Sequence, residues 1–153
     1  MAFQKKLIND PNDVVIEFIE GLVETYPGLQ HLDGFPAVKV VLRADVSSAT
    51  YDKVAVISGG GTGHEPAHAG FVGEGMLTTA ICGDVFTSPP VDSILAGIRA
   101  VTGARGCLLI VKHGEPGAAV VDLQPVDVII SHVLKQILSA QHNRSAILFW
   151  CFY

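Results

Sequence analysis

The chain has 153 residues, enough for one domain with a sizeable core that needs neither disulfide nor metal to hold it. Of these residues 49% are apolar and only 16% are charged, against roughly 25% charged in an ordinary globular domain, which excludes a disordered chain. A net charge of −5 and a pI near 5.6 exclude a nucleic-acid or anionic-membrane surface.

Asp10-Pro11-Asn12-Asp13 is a helix start signal. Val14, Val15, Phe18, Ile19, Leu22 and Val23 then recur with helical spacing until Pro27-Gly28, so a helix is predicted over 12–26. Val38 to Leu42 is a β-branched run and reads as a strand. Lys53 to Ser58 is almost continuously apolar, as a strand covered on both faces should be, and it runs straight into Gly59-Gly60-Gly61-Thr62-Gly63. Met76 to Gly83 is a further short strand.

Ser88-Pro89-Pro90 reads as a helix cap with proline just inside the first turn. Val91, Ile94, Leu95, Ile98 and Val101 continue that helix. Cys107 to Val111 is another buried strand, followed by a loop, Lys112 to Gly117. Pro125 opens a helix carrying Val126, Ile129, Ile130, Val133, Leu134, Ile137 and Leu138. Residues 141–153 show no coherent pattern, and there are no internal repeats.

Three scattered cysteines, Cys82, Cys107 and Cys151, read as reduced cytosolic thiols rather than a disulfide frame or zinc ribbon. No signal-peptide core is expected in Met1 to Asp10. The longest apolar run, Ala146 to Tyr153, is far too short to cross a bilayer. Cys151 stands too close to the end to be a prenylation site.

Strands alternating with helices give an α/β fold with a mainly parallel sheet flanked by helices. Ligands in such sheets sit at the carboxyl ends of strands. Two strand ends carry chemistry here, after Ser58 and after Val111. Glycines between a strand and a helix start let backbone approach a ligand and aim free N–H groups outward. The run is not a Walker A loop, because no Lys-Ser/Thr follows. It is not a dinucleotide fingerprint either, because Pro66 stands where the third glycine belongs. His64-Glu65-Pro66-Ala67-His68 matches the bare His-Glu-x-x-His zinc pattern. That motif needs a continuous helix, whose interior Pro66 would break. The plainest alternative is a tight strand-to-helix turn with His64 as its cap.

Ser-Gly-Gly-Gly-Thr-Gly-His-Glu-Pro-Ala-His-Ala-Gly-Phe-Val-Gly (58–73) resembles the signature of the dihydroxyacetone (glycerone) kinase family, in its substrate-binding K (DhaK) domain. Lys5 to Pro11, Gly75-Met76-Leu77, Val85-Phe86-Thr87-Ser88-Pro89 and Leu108 to Lys112 resemble further blocks of that family in the same order. The resemblance continues from His113-Gly114-Glu115-Pro116-Gly117 to about Ala140.

The resemblance implies phosphorylation of dihydroxyacetone, a cytoplasmic reaction of glycerol and carbohydrate metabolism. It implies that His113 holds the ketone covalently as a hemiaminal, which rejects glycerol for want of a carbonyl. His64 matches the general base that takes the hydroxyl proton. Gly61, Thr62, Gly63 and Lys112 match substrate contacts. ATP and Mg²⁺ would bind a separate helical domain with no counterpart in this chain, and no metal site is expected here. His68 reads as packing or as a hydrogen bond behind His64. His31, His132 and His142 read as surface residues, and Glu115 as a loop acceptor.

The chain departs from the family after Lys112. There the family continues into Asn-Tyr-x-Gly-Asp, whose aspartate contacts the substrate, whereas here His113 follows at once. The chain therefore reads as an internally deleted, truncated DhaK domain over 5–153, such as an alternative transcript or a faulty gene model would encode. Residues 5–112 are its N-terminal part, 113–140 a later segment and 141–153 an unrelated tail. The expectation is a chain that does not turn over alone. Two other readings stand beside it. One is a non-catalytic partner, forming a homo-oligomer or a mixed complex with full-length kinase. The other is a zinc hydrolase using His64, Glu65 and His68.

Overall fold

The computed structural model describes residues 7–34, 38–112 and 147–152. Among these residues one six-stranded sheet carries a helix on each face.

Helix α1 (Val14–Thr25) follows a turn in which Asp10 accepts the Asn12 amide at 2.8 Å. Tyr26 is extended, as a residue before proline must be, and the helix stops there. Strand β1 (Leu29–His31) follows at once; three residues are too few for a periodic signal. Strand β2 (Val40–Arg43) pairs antiparallel with β1.

Strand β3 (Ala55–Thr62), β4 (Thr79–Val85) and β5 (Cys107–Lys112) form the parallel centre, with β3 between the other two. Helix α2 (Val91–Val101) connects β4 to β5. Strand β6 (Ile147–Phe152) lies parallel to β5, so the order is β1-β2-β4-β3-β5-β6. The sheet is mixed but mainly parallel, as the alternation of elements implied.

Strand alternation sorts the core. Val40, Leu42, Ile57, Ile81 and Leu109 pack with Leu95, Ile98 and Val101 of α2. Val41, Ala80 and Cys82 pack with Val15 and Ile19 of α1, together with Ala69 and Val72. Adjacent residues of one strand thus enter opposite cores, as a period of two requires.

Four expectations change. The glycine run is not a loop: β3 continues through Gly59 and Gly60, which pair with Ile81 and Cys82, and ends at Thr62. Pairing with β4, and at Gly59 with β5 as well, overrides the weak strand preference of glycine. No α-helix starts near His64; a turn and a single 3₁₀ turn, Ala69–Phe71, follow instead. Helix α2 begins at Val91 with Pro90, not Ser88, in the cap position. Each proline holds the residue before it extended, which delays the helix. Finally, 147–152 is a strand although it showed no pattern; an uncharged run of six apolar residues carries no period. The helix expected from Pro125 to Leu138 lies outside the described residues.

Candidate functional site

The carboxyl ends of β3, β4 and β5 lie side by side. Thr62 at the end of β3 pairs with Val85 of β4. Val111 of β5 pairs with Gly59, which places Lys112 at the same end of the sheet as Gly60, Gly61 and Thr62. Gly61, Thr62, Gly63, His64 and Lys112 therefore lie at one end of the sheet. His113 lies outside the described residues.

The turn after β4 closes on the glycines. Phe86 donates its amide to the Thr62 carbonyl at 2.9 Å, and Thr87 donates to the Asp84 carbonyl at 3.0 Å. A Cβ on Gly61 would meet the Thr87 nitrogen at 3.0 Å and the Phe86 carbonyl carbon at 3.1 Å. Glycine here admits the protein's own backbone. Gly63 has φ +97° and lies under the Phe86 ring, where a Cβ would come within 2.9 Å of two ring atoms. Both the conformation and the contact call for glycine.

The Gly63 amide is not free for a ligand. It donates to both carboxylate oxygens of Glu65, at 3.1 Å each. Thr62 is buried, and its hydroxyl reaches the Gly83 carbonyl at 3.4 Å. His64 is exposed and meets Phe86 edge to face, with centroids 5.2 Å apart and planes at 71°.

His68 points elsewhere. Its Nδ1 lies 3.1 Å from the hydroxyl of Ser58, which donates to the Ile110 carbonyl of β5 at 3.0 Å. The pair borders an open cleft of about 540 Å³, with Val56, Phe71 and Met76 among its mainly apolar walls. Of the two readings of His68, packing or a hydrogen bond behind His64, the structure shows a side-chain hydrogen bond, made to Ser58. His31 is only half exposed, with Nε2 2.6 Å from the Val38 carbonyl, so it is less of a surface residue than its context suggested.

The zinc arrangement is not formed. Glu65 is engaged by Gly63 and His68 by Ser58, and Pro66 keeps 64–68 from being a helix. No group of three or more His, Cys, Asp or Glu side chains that could hold a metal occurs among the described residues.

Burial pushes the Cys82 thiol up to about 12; the charge of Glu65 adds to the shift and Lys39 opposes it. Burial also raises the Cys107 thiol. Two features escaped the sequence reading. One is the ion pair between Lys39 and Asp84. The other is the contact of Phe86 with His64. Phe86 stood in a recognised block, but nothing local shows that it reaches residue 64.

Among the described residues no helix is long and apolar enough to cross a membrane. The family model described as the Dak1 domain matches residues 20–113. A Solanum lycopersicum protein named as a 3,4-dihydroxy-2-butanone kinase is 47% identical and aligns with 94% of this chain and 43% of its own length. That alignment runs over 256 residues, longer than this whole chain, so a long stretch of the relative has no counterpart here. The dihydroxyacetone-binding subunit DhaK of a PTS-dependent dihydroxyacetone kinase from Lactococcus lactis is 47% identical over 109 residues, 71% of this chain and 31% of that protein. The crystal structure of the dihydroxyacetone kinase of C. freundii superposes with a TM-score of 0.78 at 37% identity, over 97% of this chain and 25% of that one. The chain thus spans less than half the length of each of these proteins.

Proposed function

The chain belongs to the Dak1 domain family, and from that membership we propose that it binds a short hydroxyketone, dihydroxyacetone above all, at the carboxyl ends of β3 and β5. The observation that carries this reading is the convergence of Gly61, Thr62, Gly63 and His64 with the end of β5 at Lys112, within the matched residues 20–113. The relatives' names support the substrate class. Dihydroxyacetone and 3,4-dihydroxy-2-butanone share a ketone next to a hydroxylated carbon.

In this reading His113 is the covalent anchor. An imidazole nitrogen attacks the ketone carbon, the C=O π bond opens and its oxygen takes up a proton. The imidazole N–H proton departs, leaving a neutral hemiaminal. His64 accepts the proton of the substrate hydroxyl that becomes phosphorylated. ATP, with Mg²⁺ to neutralise its phosphates, would donate the phosphoryl group from a separate domain, so these residues alone would bind without turnover. The long gap in the tomato alignment supports an internal deletion, which the sequence motifs put after Lys112. A cytoplasmic setting agrees with the free thiols of Cys82 and Cys107.

Dihydroxyacetone labelled with ¹³C at the carbonyl tests the reading by NMR. The ketone signal should give way to a tetrahedral-carbon signal with the wild-type chain and persist with His113→Ala. An unchanged ketone signal at saturating protein would remove the anchor, and ATP-dependent phosphate-ester formation by the chain alone would remove the inactivity.

A further inference from the structure

We propose that Phe86 is the positioning residue for His64: its ring holds the imidazole edge to face and fixes the direction in which His64 meets the substrate. The proposal rests on the hydroxyketone reading above and adds a residue to it.

Phe86 is out of place by ordinary folding criteria. Its φ is +54°, a left-handed conformation that is strained for a bulky side chain. Its side chain is not buried in return; the residue is 72% exposed, so apolar burial does not offset the strain. Strained residues persist where the surroundings over-determine them, and such sites cluster at functional centres.

Three contacts over-determine this one. The Phe86 amide is fixed to the Thr62 carbonyl at 2.9 Å. The ring lies on the backbone of Gly63, where a side chain would strike it. The ring then meets the His64 imidazole at 5.2 Å and 71°, a favoured aromatic geometry. The strained backbone thus delivers an exposed ring to His64, across Gly63. An exposed histidine without this contact would sample several rotamers, and each misdirected rotamer would cost binding and proton transfer.

The test compares wild type with Phe86→Gly, Phe86→Ala and Phe86→Tyr in the full chain. Phe86→Gly suits a left-handed position, so the melting temperature should hold or rise. Dihydroxyacetone affinity should nevertheless fall roughly three- to tenfold, the scale of one lost aromatic pair, and Phe86→Tyr should restore it. The ring-proton shifts of His64, assigned against His64→Gln, should lose their ring-current displacement in the Gly and Ala variants and keep it in Tyr.

Unchanged affinity together with unchanged His64 shifts in Phe86→Gly would overturn the proposal. So would a fall in affinity that only tracks a fall in melting temperature. If wild type binds no dihydroxyacetone, the substrate reading fails by itself, and the His64 shifts decide this proposal. A displacement lost in Phe86→Gly sustains it, and none in wild type ends it.

Discussion

Ser58 on β3 and His68 in the loop beyond it meet side chain to side chain at 3.1 Å, and the same Ser58 hydroxyl donates to the Ile110 carbonyl of β5 at 3.0 Å. The Ser58 hydroxyl thus meets two partners at once, the His68 ring nitrogen and the Ile110 carbonyl. One hydroxyl ties the loop that carries His64 to both parallel strands beneath it. Ser58 is 3% exposed, so Ser58→Ala should cost about 1–3 kcal/mol of stability. Urea denaturation reads this as a lower midpoint with an unchanged slope; an unchanged midpoint would mean the two bonds are idle.

The turn after β4 should tolerate no side chain at Gly83. A Cβ there would overlap the Thr87 carbonyl oxygen and lie 2.8 Å from the Pro89 nitrogen, both backbone atoms that cannot swing aside. Gly83→Ala is expected to lose about 1–3 kcal/mol. Thermal melting checks it.

Gly63→Ala should do damage of a different kind. The alanine inherits φ +97° and strikes the Phe86 ring, so relief must come by moving that ring off His64. Stability is expected to fall by about 1–3 kcal/mol, with dihydroxyacetone affinity falling alongside. Titration calorimetry on the folded variant checks the second part; full affinity would show that the ring and the glycine are independent.

A stabilising change lies on α1. Gly21 is exposed inside the helix, and nothing stands within 4 Å of the position its Cβ would take. Gly21→Ala should add about 0.5–1 kcal/mol by restricting the unfolded chain. A raised melting temperature with unchanged ligand binding is the expected result.

Cys82 gives a pH dependence with a definite sign. Its folded thiol titrates near 12, above the ordinary value of 9.0. The folded state therefore holds this proton more tightly than the unfolded state. The associated stability is fully present below about pH 9 and is lost as pH rises towards 12. Cys82→Ala should flatten this part of the stability curve between pH 8.5 and 11. Alkylation of Cys82 at neutral pH should be slow until urea unfolds the chain, since the thiolate is the reactive form.

The sequence by itself determined the family, the α/β class and the placing of α1, α2, β2 and β5 to within a few residues. Those signals are local: the helical spacing of Val15 and Ile19, the stop at Pro27, the apolar run from Cys107 to Val111, and the glycine-histidine motif at 58–73. It also placed Gly61 to His64 and Lys112 at strand ends, because in a parallel sheet the chain order of strands and loops fixes which ends meet.

Only the tertiary structure decided that Gly59 and Gly60 continue β3, because their ladder partners, Ile81 and Cys82, stand more than twenty positions further along. It alone decided that 147–152 is a strand, since pairing with β5 supplies what an aperiodic apolar run does not declare. It likewise decided that Glu65 closes on the Gly63 amide, that His68 turns to Ser58 and that Phe86 reaches His64. A residue type limits which bonds a side chain can make. Which bond it makes depends on the groups that folding brings within 3 to 5 Å, and in this site those groups lie on β3 and in the segments that follow β3 and β4.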